Sequence, residues 1–237
     1  MNIKLLVPLS ILALSSSTAV SQTVTDTRQN SLEFSSGYTI GAIKNLSFAP
    51  VVRYDYNALN HQFKYVRKTK KDKRFEVQLD YLDTNLKSET IPALNASYAK
   101  VVLNFSYLRP VYTKSRWTIH AGLQAQTNVS GYNDWQAYDA QQKFGLAGRF
   151  AYQIDQRQYL TSKLTIPFFM LRVATFEDST YSLGRYQGVW CNTEYKYSLS
   201  KHFDIKAIYN FHYDRLQISD AYRELQHQLN LGIQFKF

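Results

Sequence analysis

The chain has 237 residues, enough for one sizeable domain, and aromatic residues make up 15% of it, led by 19 tyrosines and 14 phenylalanines. Such side chains favour a pleated surface, so the composition predicts a β-rich fold. The formal net charge of +10 is spread through alternating patterns rather than gathered on a helix, so we expect no nucleic-acid partner. Cys191 is the one cysteine, which excludes an internal disulfide and a thiolate metal cluster.

The amino-terminal stretch has the features of an export signal. Lys4 supplies a positive charge, and Leu5–Leu14 forms a short apolar core. Ala19 and Ser21 fit the small-residue positions of a signal peptidase site. The core is too short for a membrane-spanning helix, so a membrane protein of this sequence would have to be a closed β-barrel. We therefore predict a signal peptide over residues 1–21 and a polar leader over 22–31.

The first half of the remaining chain contains stretches in which apolar and polar residues alternate, the period of a β-strand. A basic run over residues 68–74 separates the third stretch from the fourth, and a longer connection with Pro92 follows the fourth. The predicted strands are Leu32–Ile40, Phe48–Tyr56, His61–Arg67, Arg74–Tyr81 and Tyr98–Tyr107.

The second half repeats this pattern, and its connections alternate between tight turns and longer loops. Strands of about 10 residues suit a tilted crossing of a bilayer. Short turns at one end and long loops at the other are typical of outer-membrane barrels. The predicted strands are Trp117–Thr127, Lys143–Ile154, Tyr159–Phe168, Gly188–Leu199, Phe203–Tyr213 and a closing strand over Leu225–Phe237.

The closing strand has apolar residues at every odd position from 229 onward and ends on an aromatic residue. It resembles the last strand of bacterial outer-membrane β-barrels. The resemblance implies outer-membrane localisation in a Gram-negative bacterium, contact with outer-membrane lipid and lipopolysaccharide, and recognition of the strand by the barrel assembly machinery. The residues of this assembly signal are Leu229, Leu231, Ile233, Phe235 and Phe237.

The predicted fold class is all-β, a transmembrane antiparallel up-and-down β-barrel over residues 32–237. The patterns give eleven strands, whereas such barrels have an even number. Either the first strand lies outside the barrel, which leaves ten, or a short strand lies between Thr84 and Ala96, which makes twelve. We favour twelve because the first pattern is regular. The basic run would then face the outside and could contact lipopolysaccharide, whereas with ten strands it would face the periplasm.

Alternation alone does not say which face points outward, and a soluble lipocalin-like barrel has the opposite sense. Aromatic residues near several strand ends favour lipid outside. The lumen is then lined by charges of both signs, which we expect to form ion pairs and largely close it. The predicted lumen-lining residues are Glu76, Asp80, Lys100, His120, Arg149, Lys163, Glu194, Lys196, Asp204, Lys206, His212 and Asp214.

The sequence contains no phosphate-binding loop and no metal-ligand spacing, so we predict no catalytic residues, cofactor or metal. The expected function is a non-enzymatic structural or interaction barrel, whose outer aromatic residues Tyr132, Trp135 and Tyr138 could contact a partner. One alternative is a narrow pore for small polar solutes. The other is an outer-membrane lipid hydrolase that uses Ser36 and His227 on the outer wall.

Overall fold

The computed structural model describes residues 29–48, 53–175, 177–182, 184–217 and 222–237, with the side chains of 177–179 excepted. The predicted signal peptide and most of the predicted leader lie outside the described residues. A 3-10 helix spans Pro92–Leu94. Within the described part of the chain, no helix has the length and apolar character needed to cross a membrane. The strands are β1 (Asn30–Asn45), β2 (Tyr54–Lys68), β3 (Arg74–Leu86), β4 (Ala96–Lys114), β5 (Trp117–Tyr132), β6 (Ala137–Gln153), β7 (Gln158–Ala174), β8 (Glu177–Ser182), β9 (Tyr186–Ser198), β10 (Phe203–Leu216) and β11 (Tyr222–Lys236).

The strands form one antiparallel sheet that closes on itself. Each strand from β1 to β7 pairs with its neighbour along the chain, and β9, β10 and β11 continue the order. β11 then pairs with β1 over its whole length, from Ser31 opposite Lys236 to Asn45 opposite Tyr222. Ten strands therefore close the barrel, and β8 is a short strand outside this cycle. β8 occupies the edge of β7 beyond the point where β9 stops pairing.

The strand count corrects the expectation of twelve. The first strand lies in the barrel, and no further strand lies between Thr84 and Ala96. The error came from β2, a single strand whose two halves were predicted as separate strands. Tyr54 and Tyr56 point into the barrel, whereas Phe63 points outward, so the apolar residues change face within one strand. A pattern that changes face midway resembles two strands with a break between them.

The two ends of the barrel differ. The turn end, as we call it, contains Asn30, Phe237 and the connections β2–β3, β4–β5, β6–β7 and β9–β10. The opposite end, the loop end, contains the longer connections after β1 and β3. The chain ends meet at the turn end, where the Asn30 N–H donates to the Phe237 carbonyl at 3.1 Å. The basic run lies at the turn end, the location expected for ten strands.

The apolar face of the sheet points outward. Leu229, Leu231 and Ile233 on β11 are 64%, 69% and 60% exposed, while Asn230 between them is fully buried inside. A soluble barrel would show the opposite sense. Exposed aromatic residues such as Trp117 and Phe203 lie near the turn end of this apolar band. Toward the loop end the outward positions become charged, as at Lys44 and Asp55.

Candidate functional site: the barrel interior

The interior at the loop end is packed with aromatic side chains. Six buried tyrosines, each at most 4% exposed, project inward from the loop-end parts of five strands. Tyr98 and Tyr132 pack with ring centroids 5.2 Å apart, and the rings of Tyr56 and Tyr98 are 5.7 Å apart. This tyrosine layer belongs to the buried aromatic cluster at this end of the lumen. Its members are Tyr54, Tyr56, Tyr98, Tyr132, Tyr186 and Tyr222.

A buried ion pair lies against the tyrosine layer. The Arg172 guanidinium, fully buried, donates to both carboxylate oxygens of Asp139, with Nη2 2.7 Å from Oδ2. Asn45 completes the group, because its amide donates to Asp139 at 2.8 Å and to the Tyr132 hydroxyl at 3.0 Å. Arg172 also lies over the Tyr222 ring, with its Cζ 5.2 Å from the centroid. These contacts bind β1, β5, β6 and β7 together across the lumen.

Two more buried carboxylates lie just below this layer. Asp214 forms an ion pair with Lys143 and accepts hydrogen bonds from Tyr186 at 2.7 Å and Trp190 at 3.0 Å. It also lies 2.7 Å from His212 Nε2. Glu224 pairs with Lys100 at 2.5 Å and accepts hydrogen bonds from two tyrosines of the layer, Tyr56 and Tyr222. Each buried carboxylate therefore has a cation and neutral donors beside it, which offsets its desolvation.

These carboxylates do not form a free metal site. Ligand atoms of His212, Asp214 and Glu224 lie within 4.8 Å of one another. The ammonium groups of Lys143 and Lys100 already neutralise the two acids. A divalent cation would have to displace both, so we assign no metal here.

Gly41 on β1 makes room for the ring of Tyr56. A Cβ at Gly41 would lie 2.3 Å from the Tyr56 Cζ, within the buried layer. We expect Gly41→Ala to lower the free energy of unfolding by about 1–3 kcal/mol, because the crowded ring must move away from Glu224. Urea unfolding of the refolded barrel measures this.

Gly148→Ala is the matched control, since a Cβ there meets no atom within 4 Å. We expect its free energy of unfolding to stay within about 0.5 kcal/mol of wild type. Equal losses in the two variants would contradict the crowding explanation.

The middle of the barrel is filled by side-chain amides. The Asn104 carbonyl oxygen accepts hydrogen bonds from Gln124 at 3.1 Å and Gln126 at 3.0 Å. On the other side, Gln228 accepts from Gln62 and Asn210, both at 3.1 Å. The cavity between these groups has a volume of only about 80 Å³. This amide layer is polar but nearly filled.

An ion-pair layer lies between the amide layer and the turn end. Glu194 pairs with Lys64 at 2.5 Å and with Lys206 at 3.0 Å, and Lys206 also pairs with Glu33. Glu76 lies 3.1 Å from Arg74 and 3.3 Å from Lys163. Residues on both sides of the barrel thus meet in the lumen. The layer separates the amides from the open turn end.

The turn end contains a cavity of about 660 Å³, which we call the vestibule. Gln29, Lys70 and Arg116 belong to its wall, so it opens at the turn end. Among described residues, ten cations but only three carboxylates line it. The cations are Lys64, Lys68, Lys70, Arg74, Arg116, Arg149, Lys163, Lys196, Lys206 and Lys236, and the carboxylates are Asp72, Glu76 and Glu194.

The β2–β3 turn is anchored over the vestibule. Asp72 Oδ2 lies 2.9 Å from Nε2 of the buried His120 on β5, and the Asp72 carbonyl oxygen lies 3.2 Å from the same nitrogen. Burial alone raises the pKa of Asp72, but the hydrogen bond with His120 and the charges of His120, Arg74 and Lys68 together more than offset this, so the pKa lies below its usual range. The turn is therefore held by an ionised carboxylate at neutral pH.

The structure places the twelve residues predicted to line the lumen on inward positions of the barrel strands. Ten of them fall into the levels described above. Asp80 lines the small amide cavity, and the buried Asp204 pairs with Lys196 at 3.4 Å and Lys236 at 3.0 Å near the vestibule. Asp214, Glu224 and Lys143 come together, whereas Glu76 and Asp214 lie in different layers.

Several interior residues were missed by the sequence analysis. Asp139, Arg172 and Glu224 fall in stretches predicted as loops, but β6, β7 and β11 extend through them. Tyr132, expected on an outer loop, is buried in the tyrosine layer, while Trp135 and Tyr138 are 51% and 45% exposed. Continued alternation was the signal available for these positions. Lys64 and Glu33 were also missed, although both alternate with outward aromatic residues.

The outer wall does not bring Ser36 and His227 together. Ser36 lies opposite Leu231 and His227 opposite Ile40, four positions apart on β1. His227 instead lies 2.8 Å from the Tyr209 hydroxyl. Ser36 donates to the Asn60 carbonyl at 3.2 Å. The geometry gives no support to this pair as a hydrolase site.

Similar solved structures belong to outer-membrane barrels. The outer membrane protease OmpT from Escherichia coli aligns with a TM-score of 0.59 and 7% identity, over 88% of this chain and 97% of that one. An outer membrane channel from Pseudomonas putida F1 aligns with a TM-score of 0.51 and 10% identity, over 89% and 96%. No family model matches, and no curated protein matches the sequence. These identities show the fold alone.

The closed barrel with its outward apolar band is that of a transmembrane β-barrel, and its fold is the fold of outer-membrane barrels, in agreement with the predicted localisation. Short turns in such barrels face the periplasm. We therefore expect the turn end, the vestibule and the basic run to face the periplasm and the loop end to face outward.

Proposed function

We propose that the protein is a non-enzymatic barrel whose lumen is closed to ions and whose surfaces carry its function. The succession of closed levels supports this proposal. An ion crossing from the vestibule would have to pass the ion pairs of Glu194, then the amides around Asn104, and then the tyrosine layer. Each level includes at least one contact between strands that are not neighbours, namely Lys64–Glu194, Gln62–Gln228 and Tyr56–Tyr98. Opening a path would require several of them to break together.

Conductance across planar lipid bilayers tests the proposal. We expect the refolded wild-type barrel to give no steady conductance steps above the lipid baseline, because the middle cavity holds only about 80 Å³. A wide porin inserted by the same procedure is the positive control, and protease protection verifies that the test barrel has inserted. Reproducible steps from the wild-type protein would overturn the closed-lumen proposal.

A narrow pore is the second candidate, and the periplasmic vestibule favours it. The similar structure from Pseudomonas putida F1 is itself a channel, although the low identity carries no function across. If conductance steps do appear, Arg149→Gln and Lys196→Gln are expected to shift the ion selectivity toward cations, because both side chains line the vestibule. Unchanged selectivity in both variants would speak against a path through the vestibule.

The proposal of a non-enzymatic role rests on the surroundings of the closest histidine–carboxylate pair in the described lumen. His212 and Asp214 form a close pair, but the tyrosine layer lies over them, and the donors around Asp214 already occupy its oxygens. The similar structure OmpT is a protease, so we regard this as a proposal to be tested. Incubation of the barrel with peptides and phospholipids is expected to leave both intact.

The outward loop end supports an interaction role. Asn133, Asp134 and Trp135 form a turn with positive φ, and a left-handed backbone is uncommon for tryptophan. Such strain often marks a functional surface. Trp135 and Tyr138 are exposed beside it. We propose that this turn contacts a partner or glycan, and that lipopolysaccharide and the assembly machinery contact the outer wall and β11.

A further inference from the structure

We propose that the vestibule binds small multivalent oxyanions, molecules with two or more phosphate or carboxylate groups, that enter from the periplasm. Its charge is the first reason. Ten cations line it. Three carboxylates line it as well, and two further carboxylates, Glu33 and Asp204, form ion pairs with lysines of its wall. The number of negative charges to be counted is therefore five. Ten positive against five negative charges leave a formal surplus of five positive charges in one cavity.

Two of these cations form no direct ion pair with a carboxylate in the described part of the chain, although Asp72 attracts both at longer range. The Arg149 guanidinium makes one hydrogen bond there, to the Thr161 hydroxyl at 3.2 Å. The Lys68 ammonium has neither a hydrogen bond nor an ion pair with a described residue. The cations that repel Lys68 most are Arg74, Lys196 and Arg149. Like charges crowded in one cavity repel one another, so an anion between them would relieve this repulsion.

The shape of the vestibule suits a small soluble ligand. Its volume of about 660 Å³ lies within the range of small-molecule sites, roughly 300–1,000 Å³. The Asp72–His120 contact fixes the turn that carries Lys70 over the mouth. The ion-pair layer around Glu194 forms the inner wall. Arg149 offers a planar guanidinium, which can bind a phosphate or carboxylate through two parallel hydrogen bonds.

The site is independent of whether the lumen conducts. A vestibule that binds anions can lie in front of a closed or an open lumen, so the outcome of the conductance measurement does not decide this inference. The chemistry points to the oxyanion groups rather than to a particular metabolite. Phosphate and carboxylate ligands share the same recognition by Lys and Arg, and separate probes distinguish them.

Titration calorimetry of the full chain in a non-ionic detergent tests the proposal, at an ionic strength of about 0.15 M, where exposed charges are screened beyond roughly 8 Å. Pyrophosphate and citrate are the two probes, and the neutral sugar trehalose is the negative control. We expect heat of binding from pyrophosphate, citrate or both, and none from trehalose. The double variant Arg149→Gln with Lys68→Gln is expected to weaken binding about tenfold or more, because charge-assisted hydrogen bonds are lost. Neither change leaves a described carboxylate without its cation, so the variant should fold.

The matched control removes two charges from the same end but outside the cavity. Lys114 and Lys201 are exposed near the turn end and do not line the vestibule. Lys114→Gln with Lys201→Gln should change the affinity by no more than about twofold, since exposed charges are screened. No binding by the wild-type protein overturns the proposal. Equal weakening in the two double variants also overturns it, because that result would reflect overall charge.

Discussion

Replacing Arg172 with methionine is expected to lower the free energy of unfolding by about 3–5 kcal/mol, because it leaves the Asp139 carboxylate buried without its cation. Arg172 and Asp139 are 0% and 1% exposed, and only the neutral amides of Asn45 and Gln141 would remain as side-chain donors to the acid among the described residues. Urea unfolding of the refolded protein in detergent micelles measures the loss. Its cause is desolvation of one charge rather than lost packing.

Two variants separate this cause from other effects. Arg53→Met removes one partner of the exposed pair with Asp55, whose side chains are 67% and 43% exposed, and should cost at most about 1 kcal/mol. Adding Asp139→Asn to Arg172→Met removes the unpaired charge, so part of the lost stability should return. If the double variant is no more stable than Arg172→Met, burial of the free carboxylate is not the reason for the loss.

Leu229→Arg is expected to destabilise the barrel in lipid vesicles by about 2–4 kcal/mol, the cost of a cation on the lipid face at the bilayer midplane. Leu229 points outward, is 64% exposed and lies at the centre of β11. An exposed leucine on a soluble protein would tolerate the same change. Denaturant unfolding in vesicles, followed by tryptophan fluorescence, measures the difference.

Leu225→Arg serves as the control at a different depth. Leu225 is also outward-facing but lies near the loop end of β11, where the neighbouring outward residue Arg223 is already charged. A cation close to the membrane surface costs about 0–1 kcal/mol. Equal effects at the two positions would contradict the placement of the lipid band around Leu229.

The period of two predicted most of the lipid-facing parts of the strands, because there one face meets lipid and the other meets a polar lumen. It failed toward the loop end, where the wall faces water and the lumen holds tyrosines. On β2 the apolar residues are outward at Phe63 but inward at Tyr54 and Tyr56. Because the apolar residues change face, the sequence predicted two strands where the structure has one, and the predicted number of strands was too high.

The contacts that form the layers of the lumen could not be predicted from the sequence, for a related reason. Alternation indicates that Lys143 and Asp214 face inward, but not that these residues of β6 and β10 meet. Such pairing depends on the stagger of the strands and the width of the barrel, which one sequence does not determine. The same holds for the vestibule, whose cations come from most of the strands. Recognition of the last strand by the assembly machinery stays a prediction.

The seam between β1 and β11 has a consequence for biogenesis. Ser31 and Lys236 are neighbours in the sheet but lie near opposite ends of the described chain. The pairing of β1 with β11 therefore joins strands that are far apart in sequence, and such contacts form slowly. Until β11 arrives, β1 and β10 each present a row of unsatisfied backbone groups, a template for pairing with other chains. A nascent chain that lacks β11 should therefore aggregate rather than persist as a closed barrel of nine strands.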